Sequence, residues 1–151
     1  MKLIKFISPF IFLLILGCEN KKKIELIERL KTIEQYTSMP VGYRSLNDLS
    51  LFIGEEIYVQ GYIKEISILE RGYTRLYKEE SGGFATYILY ERTKKDILNK
   101  IQTECNAGCF LRIKTKVFQH RDGIYLTPTE IVETYSMLLK KETEKELSTF
   151  K

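Results

Sequence analysis

The sequence predicts a mainly β protein with five strands and a single helix between the third and fourth of them. Two observations carry this prediction. From Glu56 onward, apolar and polar residues alternate with the period of two that is typical of strands with one buried face. One stretch after residue 92 departs from that period, and its apolar residues recur at helical spacing instead.

A helix is predicted before the strands. Apolar residues recur at helical spacing among lysines and glutamates over 22–37, which predicts an amphipathic helix. Pro40 and Gly42 end it, because proline disfavours helix at the preceding residue and glycine favours a turn. The favoured role is a packing helix that covers one end of the domain; the alternative is a helix that binds a partner. Leu46 to Phe52 favours one more helical turn.

The first three strands follow as a meander. The first runs from Glu56 past Gly61, a glycine that indicates a bend or bulge, after which the apolar register moves to Ile66 and Ile68. Tyr73 to Lys78 forms the second strand. A glycine-containing hairpin connection then leads to the third strand, residues 84–90, which is rich in β-forming residues.

The helix and the last two strands complete the pattern. Thr93 is expected to cap the helix, with Asp96 at its third position. The fourth strand runs from Phe110 to Phe118, and its charged face carries arginine and lysine. After a hairpin turn at 121–123 the fifth strand begins, and Pro128 is expected to interrupt or end it. Residues 134–151 are predicted to be a polar tail, either a frayed helix or disordered.

This order of elements is the order of an OB-fold, a five-stranded Greek-key barrel. Two segments resemble the paired V-x-G-x-V strand openings of tRNA-anticodon-like OB domains found in small exported bacterial proteins: Ile57-x-Val59-x-Gly61-x-Ile63, and the run from Gly108 to Val117. The resemblance covers roughly residues 52–133 and implies an OB-fold, and the OB-fold-like domain is predicted over residues 46–133. OB-folds carry many functions, so it does not specify a ligand. The alternative, a small sandwich or lipocalin-like half barrel, would need more strands and no central helix.

The first residues have the pattern of an export signal. Lys2 and Lys5 precede an apolar run from Phe6 to Leu16, which is shorter than the roughly 20 residues that a membrane-spanning helix needs. Gly17 followed by Cys18 resembles the bacterial lipoprotein cleavage site. The alternatives are an ordinary secretory signal with an incidental cysteine, and a retained membrane helix.

The lipoprotein resemblance implies that residues 1–17 are removed and that Cys18 is acylated with fatty acids such as palmitate. Residues 18–45 would then comprise the lipid anchor, a short charged spacer and the N-terminal helix. The implied partner is a membrane, and the implied location is the bacterial cell envelope, on its periplasmic side or in the outer membrane. Glu19 differs from the aspartate that retains enterobacterial lipoproteins in the inner membrane, which mildly favours the outer membrane.

Charge and cysteine content exclude some classes of function. Without Lys2 and Lys5 the chain has 22 basic and 20 acidic side chains, a near-balance that argues against a duplex DNA partner. Cys105 and Cys109 are expected to form a disulfide in an exported protein; free thiols or a metal site are the alternatives. The metal site is disfavoured because a structural zinc takes four ligands and His120 is the only histidine. No cofactor is expected.

The binding surface of an OB-fold is formed by its second and third strands and by the loops that join strands one to two and four to five. Tyrosines alternate with arginines along the second strand, a pattern that suits stacking on bases or sugars. A solvated strand face is the alternative interpretation. The candidate ligand-binding residues are Arg71, Tyr73, Arg75 and Tyr77, with Tyr87 or the opposite set of side chains from the third strand, and His120, Arg121 and Asp122 from the last hairpin.

The sequence therefore predicts a lipid-anchored binding module of the envelope, with an oligosaccharide or a single-stranded nucleic acid as its ligand. The alternative is a structural or assembly lipoprotein whose barrel docks an envelope protein. No enzymatic activity is expected. His120 and Asp122 could form an acid/base pair, but no nucleophile can be placed beside them, and three residues separate Cys105 from Cys109 where a thioredoxin-like motif has two.

Overall fold

The computed structural model describes residues 9–64, 72–121 and 123–150, with only the backbone for 9–16. The chain divides into two compact units. One unit is Ser38–Leu138 and contains all the strands. The other contains helix α1 (Pro9–Thr37) and most of helix α3 (Met137–Ser148), and within it a salt bridge of 2.6 Å joins Lys22 to Glu146.

The described residues of the unit Ser38–Leu138 form six strands, one complete α-helix and one 3-10 helix. Their bounds in chain order are β1 Tyr43–Arg44, the 3-10 helix Leu46–Phe52, β2 Glu56–Ile63, β3 Tyr73–Glu79, β4 Gly82–Leu89, α2 Lys95–Glu104, β5 Cys109–His120 and β6 Gly123–Ser136. Strands β2 to β6 correspond to the five predicted strands. The short β1 pairs in parallel with β2.

The pairing of the strands closes a barrel. Strand β2 pairs with β3, and β3 with β4, both antiparallel. Strand β4 pairs in parallel with β6, and β6 pairs with β5 in antiparallel orientation. Strand β5 then returns to β2, also antiparallel, which closes the sheet. Three meandering strands, a helix and a final hairpin closed in this order form an OB-fold, so the predicted fold class is confirmed.

The interior of the barrel is filled by the alternate residues of its strands. Helix α2 and the 3-10 helix add side chains to the same core cluster. Burying apolar area in this way supplies most of the favourable free energy of folding. The fully buried members of the cluster include Val59, Ile63, Leu76, Ile88, Ile101, Leu111, Ile113, Val117 and Leu126.

Gly61 has a different role from the bend or bulge expected at this position. The register between β2 and β5 is continuous from Glu56 to Ile63, so the strand has no bulge at the glycine. Strand β3 approaches so closely that a Cβ at residue 61 would lie 2.6 Å from the Tyr77 carbonyl oxygen and 2.8 Å from Leu76 Cγ. Only glycine fits this approach. Ile66 and Ile68, where the register was expected to move, lie outside the described residues.

Strand β6 passes through Pro128 and continues to Ser136, further than expected. A register shift follows directly, because Thr115 pairs with Pro128 while Lys114 pairs with Glu130. Thr129 is therefore the extra residue of a bulge, and it donates a hydrogen bond to the Glu56 carboxylate at 2.7 Å. The bulge lets the strand pass a residue that has no N–H to donate.

The helices also differ in detail from the predictions. In the described residues, helix α1 runs from Pro9 to Thr37, so the charged stretch 19–23, predicted to be a spacer, is helical. None of the helices in the described residues has the length and apolar character needed to cross a bilayer.

Thr93 does not cap helix α2. The N-cap residue is Lys94, and its side chain makes no capping hydrogen bond. The Thr93 hydroxyl instead donates to the Leu89 carbonyl at 2.6 Å, which holds the loop after β4. Helix α3 occupies most of the region that was predicted to be a polar tail.

Cys105 and Cys109 lie at disulfide-bonding distance, with their Cα atoms 4.8 Å apart. Cys105 is the C-cap of α2 and Cys109 is the first residue of β5, and neither side chain is exposed. Gly108 forms the turn between them with φ +92°, and its N–H donates to the Cys105 carbonyl at 2.9 Å. The pair therefore fixes the junction between helix and strand.

Replacing both Cys105 and Cys109 with alanine should lower the free energy of unfolding by about 2 kcal/mol, the loop-closure contribution of so short a ring, and leave the barrel folded. Urea unfolding of wild type and double variant measures this difference. Mass spectrometry of a non-reduced digest of protein from cell envelopes should find the two cysteines linked. Two alkylatable thiols at these positions in unfolded, unreduced protein would contradict the pairing.

Candidate ligand-binding face

The alternation of strand β3 sorts its residues between the core and the outer surface. Thr74 and Leu76 are buried in the barrel. Tyr73, Arg75 and Tyr77 therefore share the outer face of the strand. Arg71, predicted to belong to the same face, lies outside the described residues.

Four aromatic rings from four strands form a continuous row on the outer surface, here called the aromatic ladder: Tyr73 of β3, Tyr87 of β4, Tyr125 of β6 and Phe118 of β5. The ring centroids of Tyr73 and Tyr87 are 5.0 Å apart, in edge-to-face geometry. Those of Tyr87 and Tyr125 are 5.7 Å apart, and Tyr125 stacks with Phe118 at 5.8 Å. All four side chains are partly exposed.

Strand pairing brings these rings together. Tyr87 lies opposite Tyr125 in the parallel pairing of β4 with β6. Phe118 lies opposite Tyr125 in the β5–β6 hairpin. Tyr73 is diagonal to Tyr87, since Arg75 is the residue directly opposite Tyr87. Cross-strand aromatic neighbours on one face of a sheet stabilise each other, so the ladder is a fixed platform.

Cationic side chains border the ladder. Arg75 is exposed, and a hydrogen bond from its side chain to Tyr77 raises the pKa of the guanidinium, which keeps it charged. Arg92, from the loop after β4, holds its guanidinium 4.6 Å from the centroid of Phe118. Within residues 9–64, 72–121 and 123–150, neither arginine forms a salt bridge with a carboxylate.

The last hairpin contributes at one end of the ladder. The His120 ring lies 6.1 Å from that of Tyr125, in edge geometry. Arg121 follows in the turn with φ +49° and is exposed. Asp122, the suggested acidic partner of His120, lies outside the described residues. The structure therefore places His120 beside the ladder and Arg121 in the adjoining turn.

Arg112 and Lys114, on the same outer face of β5 as Phe118, use their charges in another way. Arg112 lies between β2 and β6, with Nη1 2.6 Å from Glu133 and Nε 3.1 Å from the Gln60 side-chain oxygen. Lys114 pairs with Glu56 at 2.9 Å, which lowers the pKa of Glu56 and raises that of Lys114. These cations hold strands together, and they differ in this respect from Arg75 and Arg92.

Three residues of the face were not among the sequence candidates: Phe118, Tyr125 and Arg92. A signal for the first two was present, because a hairpin turn at 121–123 sets Phe118 opposite Tyr125 and the core alternation turns both outward. Arg92 had no such signal, since a loop residue has no periodicity to indicate its direction.

Among the described residues, no group of three or more histidine, cysteine, aspartate or glutamate side chains is arranged to hold a metal ion. The ladder and its arginines can stack on planar or ring-shaped groups and attract negative charge.

No protein-family model matches this sequence, and no curated protein matches it either. Similar solved structures include an OBody bound to hen egg-white lysozyme, with 21% identity, 63% of this chain and 93% of that chain covered, and a TM-score of 0.48. U. maydis Replication protein A bound to ssDNA is 11% identical, with 74% of this chain and 94% of that chain covered and a TM-score of 0.43. A putative aspartyl-tRNA synthetase from Leishmania major Friedlin is 10% identical, with 72% of this chain and 26% of that chain covered and a TM-score of 0.45.

The assignment of the barrel to the OB-fold class rests on its strand order and closure. The class is defined by a fold, and its members serve unrelated functions. The function of this chain therefore depends on the ladder and its surroundings, which the fold class does not specify.

Proposed function

We propose that this protein is a lipid-anchored binding module of the bacterial cell envelope, whose barrel binds a polymer of ring-shaped units, an oligosaccharide or a single-stranded nucleic acid. The observation that carries the proposal is the aromatic ladder, which crosses four strands on one outer face. The proposal assigns no catalytic residue.

The physical basis is stacking. Each stacked ring contributes about 1 to 3 kcal/mol to binding when a base stacks on an aromatic side chain, and the contact tolerates different sequences. Because the ladder residues pack against one another, little side-chain entropy is lost when a ligand binds. Arg75 and Arg92 add cation–π and hydrogen-bond contacts at the border.

The anchor follows from the N-terminal pattern. Cys18 is exposed on helix α1, so its sulfur is accessible for modification. Each buried methylene of an acyl chain contributes about 0.8 kcal/mol to membrane attachment, and two or more chains give stable attachment. Acylated with fatty acids such as palmitate, the protein would work on the periplasmic side of the envelope or in the outer membrane.

A second candidate function is an assembly lipoprotein whose barrel docks an envelope protein. It is favoured by large apolar side chains on the surface of the same unit, such as Leu51 and Val132. Salt separates a single-stranded nucleic acid ligand from a docked envelope protein. Polyanion binding weakens steeply as salt rises, while an interface built on apolar and tyrosine side chains does not.

Replacing Tyr73 with alanine should weaken binding of the polymer by about 1 to 3 kcal/mol, because the first ring of the ladder is lost. The free energy of unfolding should change less, since the ring is partly exposed. Titration calorimetry with oligo(dT), chitohexaose and cellohexaose measures the first effect, and urea unfolding measures the second.

Tyr58→Ala is the matched control, since Tyr58 is an exposed tyrosine on β2, beside Tyr43 and Lys114 and outside the ladder. This control should leave binding unchanged. If Tyr73→Ala lowers stability strongly and leaves all binding intact, the ring is a packing residue and the binding face is wrong.

A further inference from the structure

A groove of about 470 Å³ opens beside the aromatic ladder. Its walls come from the 3-10 helix, the middle of β4 and the turn end of the β5–β6 hairpin. The residues that line it include Asn47, Leu49, Ser50, Phe84, Tyr87 and Gln119.

The groove is continuous with the ladder. Tyr87 lines the groove and is also the second ring of the ladder. Gly123 lines it as well, and the Tyr125 ring lies over this glycine, since a Cβ there would be 3.1 Å from Tyr125 Cε2. The Thr86 hydroxyl donates to the Ile124 carbonyl at 3.1 Å and holds β4 against β6 at this point. A polymer that stacks along the ladder can therefore extend into the groove.

The lining of the groove is uncharged and two-sided. Phe84 provides the apolar surface, since 53% of this residue is exposed, while Leu49 in the wall of the groove is buried in the core. Asn47, Ser50 and Gln119 provide amides and a hydroxyl, groups that both donate and accept hydrogen bonds. All three polar residues are exposed. An apolar wall beside groups that both donate and accept hydrogen bonds suits a ring that has an apolar face and hydroxyls around its edge.

We propose that this groove binds one pyranose ring of a neutral oligosaccharide, whose neighbouring rings stack on the aromatic ladder. The inference rests on the proposed function and deepens it by choosing the sugar over the nucleic acid. The apolar face of the pyranose lies against Phe84, and its hydroxyls exchange hydrogen bonds with Asn47 and Gln119.

The charge of the groove favours a neutral ligand. A nucleotide in the groove would bring a phosphate close to the 3-10 helix. The exposed carboxylate of Asp48 lies on that helix between Asn47 and Leu49, and no cationic side chain lines the groove in the described residues. Like charges at close range disfavour the phosphate, while a neutral sugar carries no such cost.

The test uses the purified full-length protein in detergent and titration calorimetry with chitohexaose, cellohexaose and oligo(dT). At least one hexasaccharide should bind, and Asn47→Ala and Gln119→Ala should each weaken it roughly three- to tenfold, the effect of one lost hydrogen bond. Asn99→Ala on α2 is the matched control and should leave the affinity unchanged. Urea unfolding should show that all three variants keep wild-type stability.

The outcomes separate this inference from the proposed function. One outcome is that Tyr73→Ala weakens hexasaccharide binding while Asn47→Ala and Gln119→Ala leave it intact. This result overturns the groove inference and leaves the stacking function standing. If oligo(dT) binds and neither hexasaccharide does, the groove inference is wrong and the proposed stacking function still stands. If Tyr73→Ala weakens none of the three probes, the proposed function fails and the groove inference fails with it.

Discussion

Replacing Gly61 with alanine should destabilise the barrel by about 3 kcal/mol, the upper part of the usual range for overpacking. The added Cβ would lie 2.6 Å from the carbonyl oxygen of Tyr77, an atom of the β3 backbone. Backbone can move only if the pairing of β2 with β3 opens, so no cheap relaxation is available. Because Tyr77 is on the candidate ligand-binding face of β3, the variant should also disturb the proposed binding.

Gly123→Ala is the matched control. Its Cβ would also make a close contact, at 3.1 Å, but with atoms at the far end of the Tyr125 ring. A ring can shift by a few tenths of an ångström, so the loss of stability should be much smaller than at Gly61. Urea unfolding of both variants measures the difference, with the midpoint reduced and the slope unchanged. Equal effects, or none at Gly61, would show that β3 is not held so closely.

Local patterns account for the features that the sequence predicted well. The period-two alternation on β3 separates Thr74 and Leu76 from Tyr73 and Arg75, because successive side chains of a strand point to opposite faces. The strand order with its single helix was enough to predict the closed barrel. The short spacing of Cys105 and Cys109 similarly indicated a pair that the structure places at bonding distance.

The features that could not be predicted depend on contacts between distant residues. Tyr87 meets Tyr125 only through the parallel pairing of β4 with β6, and no local pattern sets that register. Gly61 was interpreted as a bend because the approach of β3 is not visible from β2 alone. Pro128 was expected to interrupt or end the strand. The bulge that accommodates it depends on the pairing with β5, which the local sequence does not show.

The groove illustrates the same limit for the site. Its polar residues come from two distant parts of the chain, Asn47 from the 3-10 helix and Gln119 from the end of β5. Neither residue belongs to a motif that would select it from the sequence. Only the closure of the barrel brings them to one side of Tyr87, where a polymer on the ladder would meet them.

Replacing Cys18 with serine should abolish lipid attachment completely, which is the largest effect expected for any single substitution in this chain. In the lipoprotein pattern that Gly17 and Cys18 resemble, the first lipid is joined to the cysteine thiol, and a hydroxyl does not replace it. The variant should accumulate as an uncleaved, unacylated precursor. Without acyl chains, the stabilisation of about 0.8 kcal/mol per buried methylene is lost.

Metabolic labelling with a radioactive fatty acid measures this effect directly, because the wild type should incorporate label and the Cys18→Ser variant should not. The matched control is the Cys105→Ala, Cys109→Ala double variant, which removes the other two cysteines and should label as strongly as the wild type. Cleavage is read from the mass of each protein. Label that persists in Cys18→Ser would locate the lipid elsewhere and would remove the basis for proposing that this barrel works at a membrane surface.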